Sequence, residues 1–526
     1  MTIPVWQAVL LTLLAAASLR GRYLGWLYIC QLDEYRLKRL WASCRRRLRS
    51  NWRWQLPLWV GGLVMALVAG WPGGSIRWVP LFLAALLPFF TDQPFSSRGQ
   101  LLVTSRARRL GLAAAALSLV ALFFALWAGW EGAVVLAGGD LLLVGALALG
   151  VLALAPDERR RRRGFVRQAQ ARLEAVAPLV VGITGSYGKT TTKRFLERLL
   201  DSPETPCFAT PESFNTTLGV CRAINEGLEP RHRYAVLEMG AYRKGEIAEI
   251  CSFTRPQLGI VTAVGVMHLE RFGTRSKIAL AKSELLAALP ETGLAVLPSS
   301  VNERELLTRP LRARVVWVGG RGDRYWAEEI QSGPEGTELR LLGSAGEDLR
   351  LRVPVHGDPI ISDLLCAWAV AAELGVSQET LSERALRLEP APHRLQVSQV
   401  MGVTIIDDAY NSNPEGAAAA LRLMAGLPGQ RRVLVTPGFI ELGPLQEQSM
   451  RELGRQAAAV CSHVILVGRI QSREIALGLG QAGYPLGQLT VAQDLAEAQR
   501  RLPDVAGRGS VVLFENDLPD SYLEPG

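Results

Sequence analysis

The chain has 526 residues, 49% of them apolar and 20% charged, with a mean hydropathy of +0.16 and a formal net charge of +9. It is too long for one domain and too apolar on average for an ordinary soluble enzyme. Residues 1–170 hold 21 Lys/Arg against 7 Asp/Glu, a net +14, and the remainder holds 37 against 42, a net −5; because the basic residues sit between uncharged apolar stretches, the pattern reads as membrane topology and excludes a nucleic-acid partner.

In chain order, apolar runs occur at about Ile3–Leu19, Leu56–Trp71, Trp78–Phe90, Gly111–Trp130 and Ala133–Ala155. The last two are long enough for the roughly 30 Å hydrocarbon core, which takes about 20 helical residues. The second and third are separated by Trp71-Pro72-Gly73-Gly74 and are short enough for a re-entrant hairpin, so the expected count is five spans or three. Ten Lys/Arg between residues 20 and 55, the group Arg98, Arg106, Arg108 and Arg109, and the run Arg159–Arg163 mark the cytoplasmic loops. The expectation is a multi-pass protein of a bacterial inner (plasma) membrane, with residues 1–160 as the membrane domain, the N-terminus outside and everything beyond residue 156 cytoplasmic. The five arginines read as a stop-transfer flank before a site for anionic lipid, and Asp140 reads as an interfacial break before an intramembrane functional group. Seven scattered cysteines without CxxC spacing suggest neither a disulfide framework nor a zinc site.

From about Leu179 short β-branched runs alternate with amphipathic helical stretches, predicting strands at Leu179–Thr184, Tyr234–Glu238, Leu258–Thr262, Gly293–Leu297, Val403–Asp407, Arg432–Thr436 and His463–Gly468. Such alternation predicts α/β layers with mostly parallel sheets, divided near Glu389-Pro390-Ala391-Pro392 into residues 175–389 and 390–526. Directly after the first strand stands Gly182-Ile-Thr-Gly185-Ser186-Tyr-Gly188-Lys189-Thr190-Thr191, leading into a helix. A glycine-rich turn lets backbone N–H groups close around phosphate oxygens, a lysine neutralises their charge, and a threonine hydroxyl can ligate magnesium. The motif departs from the strict GxxxxGK[ST] form, since Ile183 stands five residues before Gly188.

Glu238 closes a strand beside this loop, where a carboxylate is placed to hold a metal. His268, one of five histidines, follows the next strand in Val264-Gly-Val-Met-His268-Leu-Glu270, and Lys282 lies on a helix in Ala281-Lys282-Ser-Glu284. Further on, His393-Arg394 precedes a strand that runs into Asp408-Ala-Tyr410-Asn411-Ser-Asn413-Pro414. A strand-end Asp can accept ribose hydroxyls, Asn side chains can recognise an amide-like base edge, and Arg394 can supply positive charge to a γ-phosphate.

Together these segments resemble the Mur ligase family of ATP-dependent amide ligases, in particular the branch adding D-alanyl-D-alanine to the muramoyl tripeptide. The resemblance spans about residues 178–520 and rests on TGSYGKTTTK, SFNTTLGV, LEMGAYRKGEI, VTAVGVMHLERFGT, AKSEL, APHRLQV, IIDDAYNSNP and TPGFIELG. It implies a P-loop central domain and a Rossmann-like C-terminal domain, and an ADP-forming ligase of peptidoglycan precursor synthesis acting through an acyl phosphate. It also implies Gly185, Ser186, Gly188, Lys189, Thr190 and Thr191 around the phosphates, Thr190 and Glu238 on one magnesium, His268 on a second, and Lys282 as a carbamylated lysine bridging to metal. Asn215 would lie near the transferred phosphate, Arg394 and Asp408 would hold nucleotide, and Tyr410, Asn411 and Asn413 would flank it.

Two departures stand out. The family's His-Asn-x-x-Asn segment reads here His356-Gly-Asp358-Pro-Ile-Ile-Ser-Asp363, and apolar runs occupy the place of the domain that grips UDP. The expectation is therefore a bilayer-associated enzyme working on a membrane-bound acceptor at the cytoplasmic face, its partners a lipid-linked or UDP-linked muramoyl peptide or another envelope precursor and the amine of an amino acid or dipeptide. The alternatives are a membrane-associated poly-γ-glutamate-type ligase and a non-catalytic nucleotide-sensing module. The second-metal pair His268 and Lys282 argues against sensing, which has no need of it.

Overall fold

The computed structural model describes residues 104–127, 139–212, 214–410 and 412–517, together with 23–31 and a few positions between 35 and 45. The chain divides into two compact units, the larger being Arg162–Leu518. The apolar runs expected at Ile3–Leu19, Leu56–Trp71 and Trp78–Phe90, and Asn411, lie outside the described residues.

In the N-terminal unit the helix Ser105–Trp127 opens with Arg106, Arg108 and Arg109, and the 38-residue helix Gly139–Val176 carries Pro156 and the five arginines. Asp140 lies in this second helix, and its side chain is outside the described residues. Among the described residues no helix is long and apolar enough to cross a membrane. This corrects the expected multi-pass inner-membrane protein with an outside N-terminus, and leaves a bilayer partner without support among the described residues. Part of the apolar length serves packing within the unit: Leu110, Ala114, Val144 and Leu147 are buried against Trp26, Cys30 and Leu40, while Leu112, Val120, Leu149 and Leu152 of the same two helices are exposed. The chain is charged from Asp157 onward, and Arg106 and Arg109 pair with Glu158.

The larger unit holds two sheets. The first runs in the order β2-β3-β1-β4-β5-β6-β7-β8-β9, with β1 (Leu179–Thr184), β2 (Cys207–Ala209), β3 (Tyr234–Glu238), β4 (Leu258–Val261), β5 (Leu294–Pro298), β6 (Arg314–Val318), β7 (Tyr325–Gly333), β8 (Gly336–Gly343) and β9 (Asp348–Val353). From β2 to β7 all pairings are parallel; β7, β8 and β9 then form an antiparallel edge that the sequence reading did not anticipate. β1, β3, β4 and β5 are buried almost throughout, as uninterrupted Val/Ile/Leu runs demand when helices cover both faces.

The second sheet has the order β10-β11-β15-β12-β13-β14, with β10 (Gln396–Val400), β11 (Val403–Asp408), β12 (Arg431–Thr436), β13 (His463–Val467), β14 (Leu489–Ala492) and β15 (Ser510–Glu515). Only the β10–β11 pairing is antiparallel. All seven predicted strands are present, each within one residue at either end. The short helix expected at Gln168–Ala177 is the last part of Gly139–Val176.

In parallel sheets ligands gather at the carboxyl ends of the strands, where the chain turns into the next helix. Here β1 ends in the glycine loop, β3 at Glu238, β4 in the loop to His268 and β11 at Asp408, so the topology brings the four motifs to strand ends of the same sense.

Candidate active site

Gly188 stands at φ +77° as the cap of the helix Lys189–Leu200, a conformation costly for any residue with a Cβ. A Cβ there would collide with the Asp363 carboxylate, and one at Gly185 with the Thr262 hydroxyl, so both glycines are required by close approach as well as by turn geometry. The loop is tied to the next strand end: Ser186 N–H donates to Ala263 O at 2.8 Å, Gly265 N–H donates to Ser186 Oγ at 3.0 Å, and Val266 N–H donates to Tyr187 Oη at 2.9 Å.

Glu238 is the centre of the first cluster. It is 1% exposed. Thr190 Oγ1 donates to its Oε2 at 3.0 Å, Lys193 Nζ pairs with Oε2 at 3.1 Å, and Asn215 Nδ2 donates to Oε1 at 2.9 Å. Burial alone would raise its pKa, but the Lys193 and Lys189 ammonium groups and the Asn215 hydrogen bond hold it below the ordinary carboxylate value. Gly240 gives Asn215 room, because a Cβ there would come within 2.8 Å of Asn215 Oδ1. Lys189 Nζ folds back onto Gly185 O at 2.9 Å, and its pKa is lowered by burial.

Lys282 is 3% exposed on the helix Arg275–Ala287, and burial together with the nearby Lys189 charge pushes its ammonium down to about 7. Asp363, on the helix Asp358–Glu373, is likewise pushed up by burial to about 8, although Arg394 and Lys189 act against the shift. His268 sits at φ +60° and its Nδ1 meets Glu441 Oε2. Arg271 donates to Glu441 Oε1 from Nε at 3.1 Å and from Nη2 at 2.6 Å. Burial pulls the His268 pKa down, and His268 and Arg271 hold Glu441 at about 2 despite its own burial.

On the second sheet the guanidinium of Arg394 lies 4.9 Å over the Tyr410 ring, and Leu395 N–H donates to Asp408 Oδ1 at 3.0 Å. Burial raises Asp408 to about 6. Its neighbour across the ladder, Glu515, is fully buried and raised well above the carboxylate range for the same reason. Asn413 turns its side-chain oxygen to Gly416 N–H at 3.0 Å, capping the helix Pro414–Gly426.

The structure thus brings Lys189, Thr190, Asn215 and Glu238 into one hydrogen-bonded group. His268, Lys282 and Arg394 lie within electrostatic reach of Lys189. Among the described residues no three His, Cys, Asp or Glu side chains form a metal-holding cluster, and of the four proposed metal residues Thr190 and Glu238 are hydrogen-bonded to each other. Lys193, Asp363 and Glu441 were missed as site residues. Lys193 falls in TGSYGKTTTK and Glu441 in TPGFIELG, but their partners come from distant segments that spacing does not reveal. His356 is buried elsewhere, its Nε2 bonded to Gly333 O at 2.9 Å at the antiparallel edge.

Two family profiles match the chain: "Mur ligase middle domain" over residues 183–371 and "Mur ligase, glutamate ligase domain" over residues 393–515. Over 357 residues the chain is 34% identical to the UDP-N-acetylmuramoyl-tripeptide–D-alanyl-D-alanine ligase of Mycobacterium tuberculosis, a match covering 63% of this chain and 68% of that protein. A crystal structure of MurF from Acinetobacter baumannii superposes with a TM-score of 0.61 at 28% identity, covering 68% of this chain and 77% of the other. The MurF ligase of Thermotoga maritima in complex with ADP gives 0.60 at 25% identity, covering 68% and 80%.

Proposed function

Since the chain belongs to the Mur ligase family and is an ATP-dependent, ADP-forming ligase of peptidoglycan precursor synthesis, we propose that it joins D-alanyl-D-alanine to the tripeptide carboxylate of a UDP-linked muramoyl acceptor. The observation that carries the reading is the buried group around Glu238: a carboxylate, a hydroxyl, an amide and two lysines at the mouth of a phosphate-binding loop. The names of the relatives supply the substrates. The expected membrane-bound acceptor rested on the spans and goes with them; no observation favours the polymer or sensing alternatives.

The reaction requires two anions to meet, the carboxylate and the γ-phosphate, before an amine attacks the acyl phosphate. Lys189 and the loop N–H groups serve the phosphates, Arg394 adds a cation from the second sheet, and Asn215 is positioned by Glu238 and Gly240 to face the transferred group. Thr190 and Glu238 offer hard oxygens, the donor chemistry magnesium takes alongside phosphate and water. Bound there, the ion would supply charge neutralisation at the phosphate oxygens. As an ammonium Lys282 is no metal ligand. A pKa near 7 leaves much of it as free amine, the form that adds carbon dioxide to become an anionic carbamate, and His268 is the neighbour we assign to the same second position. On the second sheet Asp408, Tyr410, Asn411 and Asn413 remain our proposed nucleotide contacts.

The test is to incubate the full chain with ATP, magnesium, D-alanyl-D-alanine and UDP-muramoyl tripeptide, following phosphate release and acceptor mass. Phosphate release that requires both substrates, with the acceptor heavier by one dipeptide less water, is expected. Release independent of the amine, or an acceptor of unchanged mass, would overturn the proposal.

A further inference from the structure

The cluster around Glu441 joins two elements far apart in the chain. Glu441 lies in the loop that follows β12, at φ +61°, and its side chain and carbonyl are directed at the segment 268–271 beyond β4. One carboxylate oxygen meets His268 Nδ1, the other takes both Arg271 bonds, and the Glu441 carbonyl accepts from Glu270 N–H at 3.1 Å. Both His268 and Glu441 sit in the left-handed region that non-glycine residues occupy only when their surroundings hold them there. The Tyr242 ring completes the arrangement: it stands edge-on to His268 at 4.8 Å and carries the Arg271 guanidinium 4.4 Å over its face.

The contacts settle which proton sits where. Glu441 is held as a carboxylate by two Arg271 bonds to one oxygen, and a carboxylate only accepts hydrogen bonds, so the imidazole nitrogen facing its other oxygen, Nδ1, carries a proton. In the neutral ring Nε2 then carries the lone pair. An unconstrained neutral imidazole exchanges its proton between the two nitrogens; here the glutamate, fixed in turn by Arg271, removes that freedom.

We infer that Glu441 is a positioning residue, supplied from the second sheet to the first, that locks His268 in the Nδ1–H tautomer and makes a correctly presented His268 conditional on the docked position of the C-terminal domain. The inference rests on the reading of His268 as part of the ATP site. It explains why both carboxylate oxygens are used: Arg271 donates twice to one, which leaves the other aimed at His268.

The test uses the full chain with Glu441→Gln, Glu441→Ala, His268→Ala and the double variant Glu441→Ala/His268→Ala. Nitrogen NMR of ring-labelled histidine, assigned by the His268→Ala spectrum, is expected to show Nδ1 protonated in the wild type and loss of that fixed tautomer in both Glu441 variants, with thermal unfolding of Glu441→Gln close to wild type. In ligase assays kcat should fall about 10- to 100-fold in each Glu441 variant, with KM for ATP changed less than threefold, and the double variant should be no slower than His268→Ala alone. A wild-type tautomer in Glu441→Ala, or losses that multiply in the double variant, would overturn the inference. A tautomer that depends on Glu441 in a protein without ligase turnover would instead overturn the proposed function and leave the coupling standing.

Discussion

The two sheets present functional side chains at the same kind of place and hold them in different ways. At the end of β3, Glu238 is sealed from solvent and satisfied by threonine, lysine and asparagine side chains drawn from two other segments, the helix Lys189–Leu200 and the loop at Asn215. At the end of β11, Tyr410 is 45% exposed, Asp408 is held by a backbone N–H of its own sheet's neighbourhood, and Asn413 spends its oxygen on the helix it starts. The first arrangement is organised around charge that has not yet arrived; the second is organised by the local needs of the backbone. Preorganised charge of the first kind is the largest single source of rate in many enzymes, because no reorientation is needed when the transition state forms.

The contrast is sharpest in turnover. Lys189→Met should lower kcat about 10³-fold, since its ammonium lies in the glycine loop, bonded to Gly185 O at 2.9 Å, whereas Tyr410→Phe, which keeps the ring under Arg394, should change it by less than about threefold. Phosphate release under saturating substrates measures both. Equal losses in the two variants would break the comparison.

How much of this was legible in the sequence follows from how far apart the partners lie. The glycine loop was readable because strand, turn, lysine and helix are contiguous, and the strands were readable because a parallel sheet buried on both faces writes itself as Val/Ile/Leu runs. Glu238 and Thr190 were found from strand-end position and motif, but Lys193, four residues beyond Lys189, gains its meaning only from burial against β3. Asp363 was read as part of a departure from the family pattern, yet it packs on Gly188, a contact set by how the helix Asp358–Glu373 lies on the glycine-loop helix. The antiparallel edge β7–β9 was written in the alternation Asp348-Leu-Arg-Leu-Arg-Val353 and the turn residues Ser332-Gly333-Pro334, but it was missed because strands were sought as uninterrupted apolar runs. The membrane reading counted apolar length alone, and part of that length, Leu110, Ala114, Val144 and Leu147, is buried against Trp26 and Leu40 within the unit.

A second test separates function from stability within the first region. The unfolded chain keeps a lysine ammonium up to its ordinary 10.5, the folded protein keeps that of Lys282 only to about 7. Burying the charged form therefore costs most below pH 7, and the cost fades as pH rises toward 10.5, so this residue makes the wild type gain stability with pH across that window. Lys282→Met should abolish measurable ligation while unfolding at higher denaturant than wild type at pH 6, by a few kcal/mol, on the order expected from a shift of this size. The advantage should shrink at pH 9. A variant less stable than wild type at pH 6 would mean that Lys282 serves packing rather than chemistry.

The smallest expected effect probes the second region. Asn413 is the cap of the helix Pro414–Gly426; it is buried, its oxygen receives Gly416 N–H at 3.0 Å, and proline follows at the first helical position, where a missing N–H costs nothing. Removing that acceptor leaves one helix-end donor unpaired, a loss of about 1 kcal/mol. Asn413→Ala should therefore lower stability by about that amount in denaturant titration, and Asn413→Asp, which keeps the acceptor and adds charge favourable to a helix N-terminus, should recover it. If the alanine variant instead keeps its stability and loses affinity for ATP more than tenfold, the residue belongs with Glu238 as a ligand-organised group, and the division between the two sheets would have to be drawn on the far side of Asn413.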